Sequence, residues 1–249
     1  MHNKRRSRSC FLRQHDGCRR YVIGNQFKIM KYSIRENHQE QLELIWANKD
    51  FKDIEVLSRG YHTVEFIIKN SILFIGINPS YSENRNPINH NAFNCIKQES
   101  NEYSKYFRPF ENIAKSVGSK WSHLDILFFQ ETSQKYIDKL LKTDIGFNFI
   151  QAQLQVTKQI LENSSPLCII VCNTKAREFL GKHTKENKWL NYSFKFDDKL
   201  GTDRIHNENS NLHNTPIFFS SMLSGTRALD IGSRERLIWQ IKRTINQLK

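Results

Sequence analysis

The feature that constrains this chain most is the run Ile-Leu-Phe-Ile-Gly-Ile at residues 72–77, which is apolar at every alternate position. A strand with no polar face belongs in a parallel sheet covered on both sides. Three further short runs follow, at residues 124–129, 167–172 and 216–219. The segments between them have helical spacing. In residues 104–117, Tyr106, Phe110, Ile113, Ala114 and Val117 recur at intervals of three and four, and Gly118 supplies a stop. Phe147, Ile150, Leu154, Thr157 and Leu161 define a long helix that residues 164–166 break. Residues 174–180 suit a short helix ended by Gly181, and a last helix takes Ser233 as N-cap and buries Leu237, Ile241, Ile245 and Leu248. Upstream, residues 34–48 suit a helix burying Leu42 and Ile45, and residues 63–68 a short strand. Residues 182–214 are polar and Asn-rich, an insertion or a small hairpin around residues 192–196. This alternation predicts an α/β fold: a three-layer α/β/α open sheet, mostly parallel, with four core strands.

Composition narrows the function classes. With 249 residues, 38% of them hydrophobic, the chain can bury a large core, and no apolar run is long enough to span a bilayer. The formal charge of +13 makes a polyanion the leading partner. Its distribution is uneven. Residues 1–30 hold eight basic side chains against one acidic, a net +7, so the other 219 residues carry +6. Residues 1–29 show no periodicity and are expected to be a disordered basic tail or a misassigned start, leaving residues 30–249 as the folded domain. An AT-rich coding sequence, with plentiful Lys, Asn and Ile, is a competing source of the excess charge. Five cysteines, an odd number, and no secretory signal predict a reducing cytoplasm. They assemble no set of four metal ligands at recognised spacings, so no metal is expected.

In open parallel sheets, ligands bind beyond the carboxyl ends of the strands. That rule selects Asn78, Asn173 and residues 220–225. At the first of these, Gly76 permits close approach and Pro79 stiffens the turn that carries the Asn78 amide. An amide orients water or reads a base edge, but it is a poor general base, which argues against ordinary acyl transfer. Asn173 also suits a helix cap, and the two roles stay open. Asp125 and Glu131, near the second strand, are the remaining acids. Asp125 is expected to brace neighbouring loops through hydrogen bonds.

The strand running into Gly76-Ile77-Asn78-Pro79 resembles the first motif of the uracil-DNA glycosylase superfamily, most closely its mismatch-specific and single-strand-selective branches. The similarity spans roughly residues 72–242 at motif level. It implies that Asn78 is catalytic, positioning the water that attacks C1′ of a flipped nucleotide. It implies a base-binding set of Gly76, Ile77, Asn173 and an aromatic platform, for which Phe93 is the choice and Tyr81 and Tyr106 the rivals. It places Ser80, Ser221, Leu223, Ser224 and Arg227 on the DNA, with Leu223 as an apolar wedge. The second motif, often His-Pro-Ser-Pro in the superfamily, reads Ser220-Ser221-Met222-Leu223 here and has no His. The implied protein is a monomeric DNA glycosylase of base-excision repair, with DNA as partner, no cofactor and no membrane. The competing readings are a catalytically silent nucleic-acid or nucleotide-binding module of the same fold, and an unrelated α/β protein in which Asn78 is only a turn residue.

Overall fold

The computed structural model describes residues 29–81, 91–94, 106–182, 189–225 and 228–248. In chain order its elements are β1 (Lys31–Ser33), α1 (Ile34–Ala47), β2 (His62–Val64), β3 (Phe66–Ile68), β4 (Ile72–Gly76), β5 (Ala92–Asn94), α2 (Arg108–Ser116), β6 (Trp121–Asp125), α3 (Lys135–Leu140), α4 (Asp144–Ser164), β7 (Cys168–Val171), α5 (Thr174–Leu180), β8 (Phe194–Asp197), β9 (Thr202–Ile205), β10 (Pro216–Phe219) and α6 (Ile231–Leu248).

Six strands form the central sheet in the order β6-β4-β7-β10-β9-β8. The first four are parallel. The last two are the hairpin foreseen around residues 192–196, joined antiparallel to β10, so the sheet has two strands more than the four expected. Glu162 of α4 holds the segments flanking this hairpin by accepting from Tyr192 Oη, Ser210 Oγ and the Asn211 amide at 2.7–2.8 Å.

Alternation along the strands builds the two outer layers. Leu73, Ile75, Leu124, Ile169, Val171 and Ile217 face a core shared with α1, α3, α4 and α5. Ile72, Phe74, Trp121, Cys168, Ile170 and Phe218 face the other way, onto Phe110 and Ile113 of α2 and Leu237, Ile241 and Ile245 of α6. This is the three-layer arrangement expected from continuous apolar strands.

The boundaries moved where an apolar run did not mean pairing. The second core strand is β6, not residues 124–129. Residues 126–129 leave the sheet and stay fully buried under α4, where the Gln153 side chain accepts from the amides of Phe128 and Phe129 at 2.8 and 3.2 Å. Helix α2 begins at Arg108 rather than at residue 104, because Pro109 is tolerated only in a first turn. Helix α6 is capped by Asp230, whose carboxylate accepts from the Ser233 amide and hydroxyl, so Ser233 lies inside the helix instead of capping it. No helix among the described residues is long and apolar enough to cross a membrane.

Candidate active site

From β4 the chain crosses to β6 on one side and later returns to β7 on the other, so the strand order reverses at β4. Loops leaving neighbouring strands at such a point diverge and open a crevice. Here the crevice is a cavity of about 110 Å³ lined by Gly76, Ile77, Asn78, Ser80, Asn173, Leu223 and Ser224, all selected from the sequence. The volume suits one ring, since a cavity of about 150 Å³ accommodates benzene.

Asn78 is held in one orientation. Its Nδ2 donates to the Pro79 carbonyl at 3.0 Å and the Glu131 carbonyl at 2.6 Å. Carbonyls only accept, so the amide cannot be flipped, and Oδ1 is left as an acceptor beside the cavity. The Glu131 amide returns a bond to Pro79 O at 2.9 Å, tying the two loops together. Glu131 is itself clamped: its carboxylate accepts from Arg59 at 2.7 Å and from the amides of Thr132 and Ser133 at 2.7 Å each. Burial pushes its pKa up, but the Ser133 amide and Arg59 outweigh that and hold it below the usual value.

Asn173 does both things expected of it. It caps α5, with Oδ1 accepting from the amides of Lys175 and Ala176 at 2.8 and 3.3 Å, and it lines the cavity. With Oδ1 committed to the cap, only Nδ2 remains for a ligand. Asn173 therefore offers a donor alone, not the donor and acceptor pair of a free amide.

Phe93 is not in the cavity. It sits on β5, which pairs with β2, and its ring packs edge-on against Tyr61 at 5.7 Å, within the α1-side core. The aromatic wall is Tyr106 and Phe110, with ring centroids 5.3 Å apart and planes tilted by 36°. Helical spacing had assigned Tyr106 to a buried stripe, but it precedes α2 and is 41% exposed. Pro109 was the signal that the helix begins after it. Ser221 is exposed and does not line the cavity, and Arg227 lies outside the described residues.

The acids exchange their expected roles. Glu131 is the brace, while the Asp125 carboxyl makes no hydrogen bond to any described residue. Asp125 ends β6 opposite Gly76 in the register, and its Oδ1 fills the space of the missing side chain: a Cβ on Gly76 would lie 2.1 Å from it. The nearest polar atom given is His123 Nε2 at 3.7 Å, too long for a hydrogen bond, and that nitrogen is itself buried without a partner. Burial lowers the His123 pKa to about 4, so the ring is neutral near pH 7, and burial raises that of Asp125 to about 7. Tyr106 and Cys172 complete the surroundings. Burial, reinforced by Asp125, holds both groups in their protonated forms, so Cys172 is no nucleophile.

The sign of the resulting pH dependence is fixed. Between about pH 4 and pH 7 the unfolded carboxyl loses its proton while the folded one keeps it, so Asp125 costs stability as pH rises, by about 4 kcal/mol once pH passes 7. Asp125→Asn is therefore expected to raise the melting temperature at pH 8 and to leave it nearly unchanged at pH 4. Thermal melts of both proteins across that range check this; an equal gain at both ends would contradict it.

Among the described residues, no group of three or more His, Cys, Asp or Glu side chains is placed to hold a metal ion. Compared with known proteins, the chain matches no family model, no curated protein and no solved structure.

Proposed function

We propose that the protein is a DNA glycosylase that hydrolyses the N-glycosidic bond of uracil or another damaged base. The observation that carries this reading is Asn78: an amide with both donor contacts spent on backbone carbonyls, presenting one fixed acceptor to a cavity of one-ring size. The resemblance of the Gly76-to-Pro79 turn to the uracil-DNA glycosylase superfamily agrees with it.

The chemistry asks little basicity of the site. As the bond from C1′ to the base nitrogen breaks, its electrons leave with the base and the sugar becomes an oxocarbenium ion. That cation reacts with water readily, so a positioned water suffices. Asn78 Oδ1 accepts one hydrogen of that water and aims its oxygen; the spare proton passes to solvent. Tyr106 and Phe110 give the flipped ring a face to stack on, and Asn173 Nδ2 donates to a carbonyl on its edge. Leu223, buried at 4% exposure, is packed in the cavity wall, so acting as a wedge in the DNA requires its loop to move.

The test is to incubate the protein with labelled single- and double-stranded oligonucleotides carrying uracil, a T·G mismatch, hypoxanthine or xanthine, and to look for alkali-sensitive abasic sites. Cleavage is expected, with a loss of about 100-fold or more in Asn78→Ala, the usual effect of losing a positioned reactant. DNA binding with no abasic product from any substrate would instead favour a silent binding module, the reading to which the absent second-motif His points.

A further inference from the structure

We infer that the base this site takes is already a cation when bound, an N-alkylated single-ring base such as N3-methylcytosine, held between the Tyr106 and Phe110 rings and the Asp125 carboxyl. This rests on the glycosylase reading of the same cavity and names its substrate class.

The argument starts from charge. Uracil leaves as an anion and needs donors to stabilise it. Among the described residues lining the cavity there is no Lys, Arg or His, and the charged group is Glu131, which Arg59 already balances. The carboxyl of Asp125 has no such partner. The residues around it, His123, Tyr106, Cys172 and Gly76, are all neutral. An anion developing beside an unbalanced carboxylate is repelled, whereas a cation is attracted to it and to the faces of electron-rich rings. A base that starts with a positive charge leaves neutral, so the missing second-motif His costs this reaction nothing.

Hydrogen bonding points the same way. The Asp125 carboxyl and His123 Nε2 are buried polar groups with no hydrogen-bond partner among the described residues, a condition that native structures rarely leave without a ligand or water. A carboxylate accepts from the exocyclic amino group of a cytosine ring, and it repels the carbonyl that uracil carries at that position. Asn173 Nδ2, the donor left over from capping α5, suits the remaining ring carbonyl. The size of the cavity favours a pyrimidine over a purine.

Atoms and charge balance. The bond from C1′ to N1 breaks, its electron pair goes to N1, and the ring cation becomes neutral N3-methylcytosine. Water adds its oxygen to C1′ and gives its proton to solvent. No oxidant, reductant or metal takes part.

Two measurements on the full chain test this. In the first, single-stranded oligonucleotides carrying N3-methylcytosine, uracil or cytosine are compared at pH 8; N3-methylcytosine is expected to yield abasic sites at least about tenfold faster than uracil, and Asp125→Asn to erase that preference. Uracil cleaved as fast or faster by the unaltered protein would overturn the inference while leaving the glycosylase reading in place. In the second, binding of 1,3-dimethylcytosine, a cation at pH 7, is compared with binding of neutral 1,3-dimethyluracil by calorimetry. Tighter binding of the cation, lost in Asp125→Asn, is expected; no preference would overturn the inference. If the cation is preferred but no oligonucleotide is cleaved, the pocket assignment stands and the glycosylase reading fails.

Discussion

Replacing Gln153 with leucine is expected to destabilise the protein by about 3–5 kcal/mol and to remove most of its activity, although the residue lies outside the cavity. Gln153 is fully buried, and its Oε1 is the acceptor for two backbone amides, those of Phe128 and Phe129, while its Nε2 donates to the Phe149 carbonyl. Leucine has nearly the same volume but no polar atom, so both amides are left buried without a partner, at about 1–3 kcal/mol each. The damage spreads along the chain. Residues 126–131 are held at one end by Gln153 and by Thr157 Oγ1, which donates to Ile126 O at 2.6 Å, and at the other by Arg59 on Glu131. Loosening this segment frees the Glu131 carbonyl that holds Asn78. Denaturant unfolding reads the first effect and abasic-site formation the second. If Gln153→Leu were as stable as the unaltered protein, the brace assigned to α4 would be wrong.

Gly76→Ala is expected to be the most damaging one-methyl change at the site. The added carbon would lie 2.1 Å from Asp125 Oδ1 and 3.1 Å from His123 Nε2, so Asp125 must be driven out of its niche. Overpacking of this kind costs about 1–3 kcal/mol. The carboxyl would also leave the position opposite Tyr106 and Cys172. Because the clash is with one side chain, it can be relieved there: Gly76→Ala combined with Asp125→Ala should recover at least about 1 kcal/mol relative to the sum of the two single changes. A double-mutant cycle on unfolding free energies measures this. Strict additivity would mean that Asp125 does not occupy the space at Gly76.

Both changes act on features that the sequence showed only in part. Strands β4, β7 and β10 were legible because a run buried on both faces has no polar side chain to confuse it. The run at residues 124–129 was equally apolar, yet most of it sinks beneath α4 after the ladder ends; hydrophobicity reports burial, not pairing. Helix α3 escaped notice because its six residues bury only Ile137 and Leu140, too few to show a period. At the site, Gly76, Asn78, Asn173 and Leu223 were found by a topological rule, which needs only strand ends. Phe93 was chosen for its nearness in sequence to Asn78, and β5 carries it to a different small sheet. The importance of Asp125 was not legible at all. It arises from the parallel register that sets Asp125 beside Gly76, roughly fifty residues earlier in the chain, and nothing local to either residue announces that pairing.

The order of strands also governs when the site can exist. Its walls come from the ends of β4 and β7, from the segment after β6 and from residues 222–224 after β10, so four distant stretches must meet. Parallel neighbours joined by long crossovers form late in folding, because each must close a large loop before it gains a contact. During synthesis, a nascent chain that has not yet released β10 exposes β7 as an open parallel edge and lacks the wall formed by Met222, Leu223 and Ser224. Ligand binding is therefore acquired in one step near the end of translation, and truncations before residue 220 are expected to lose it completely rather than by degrees.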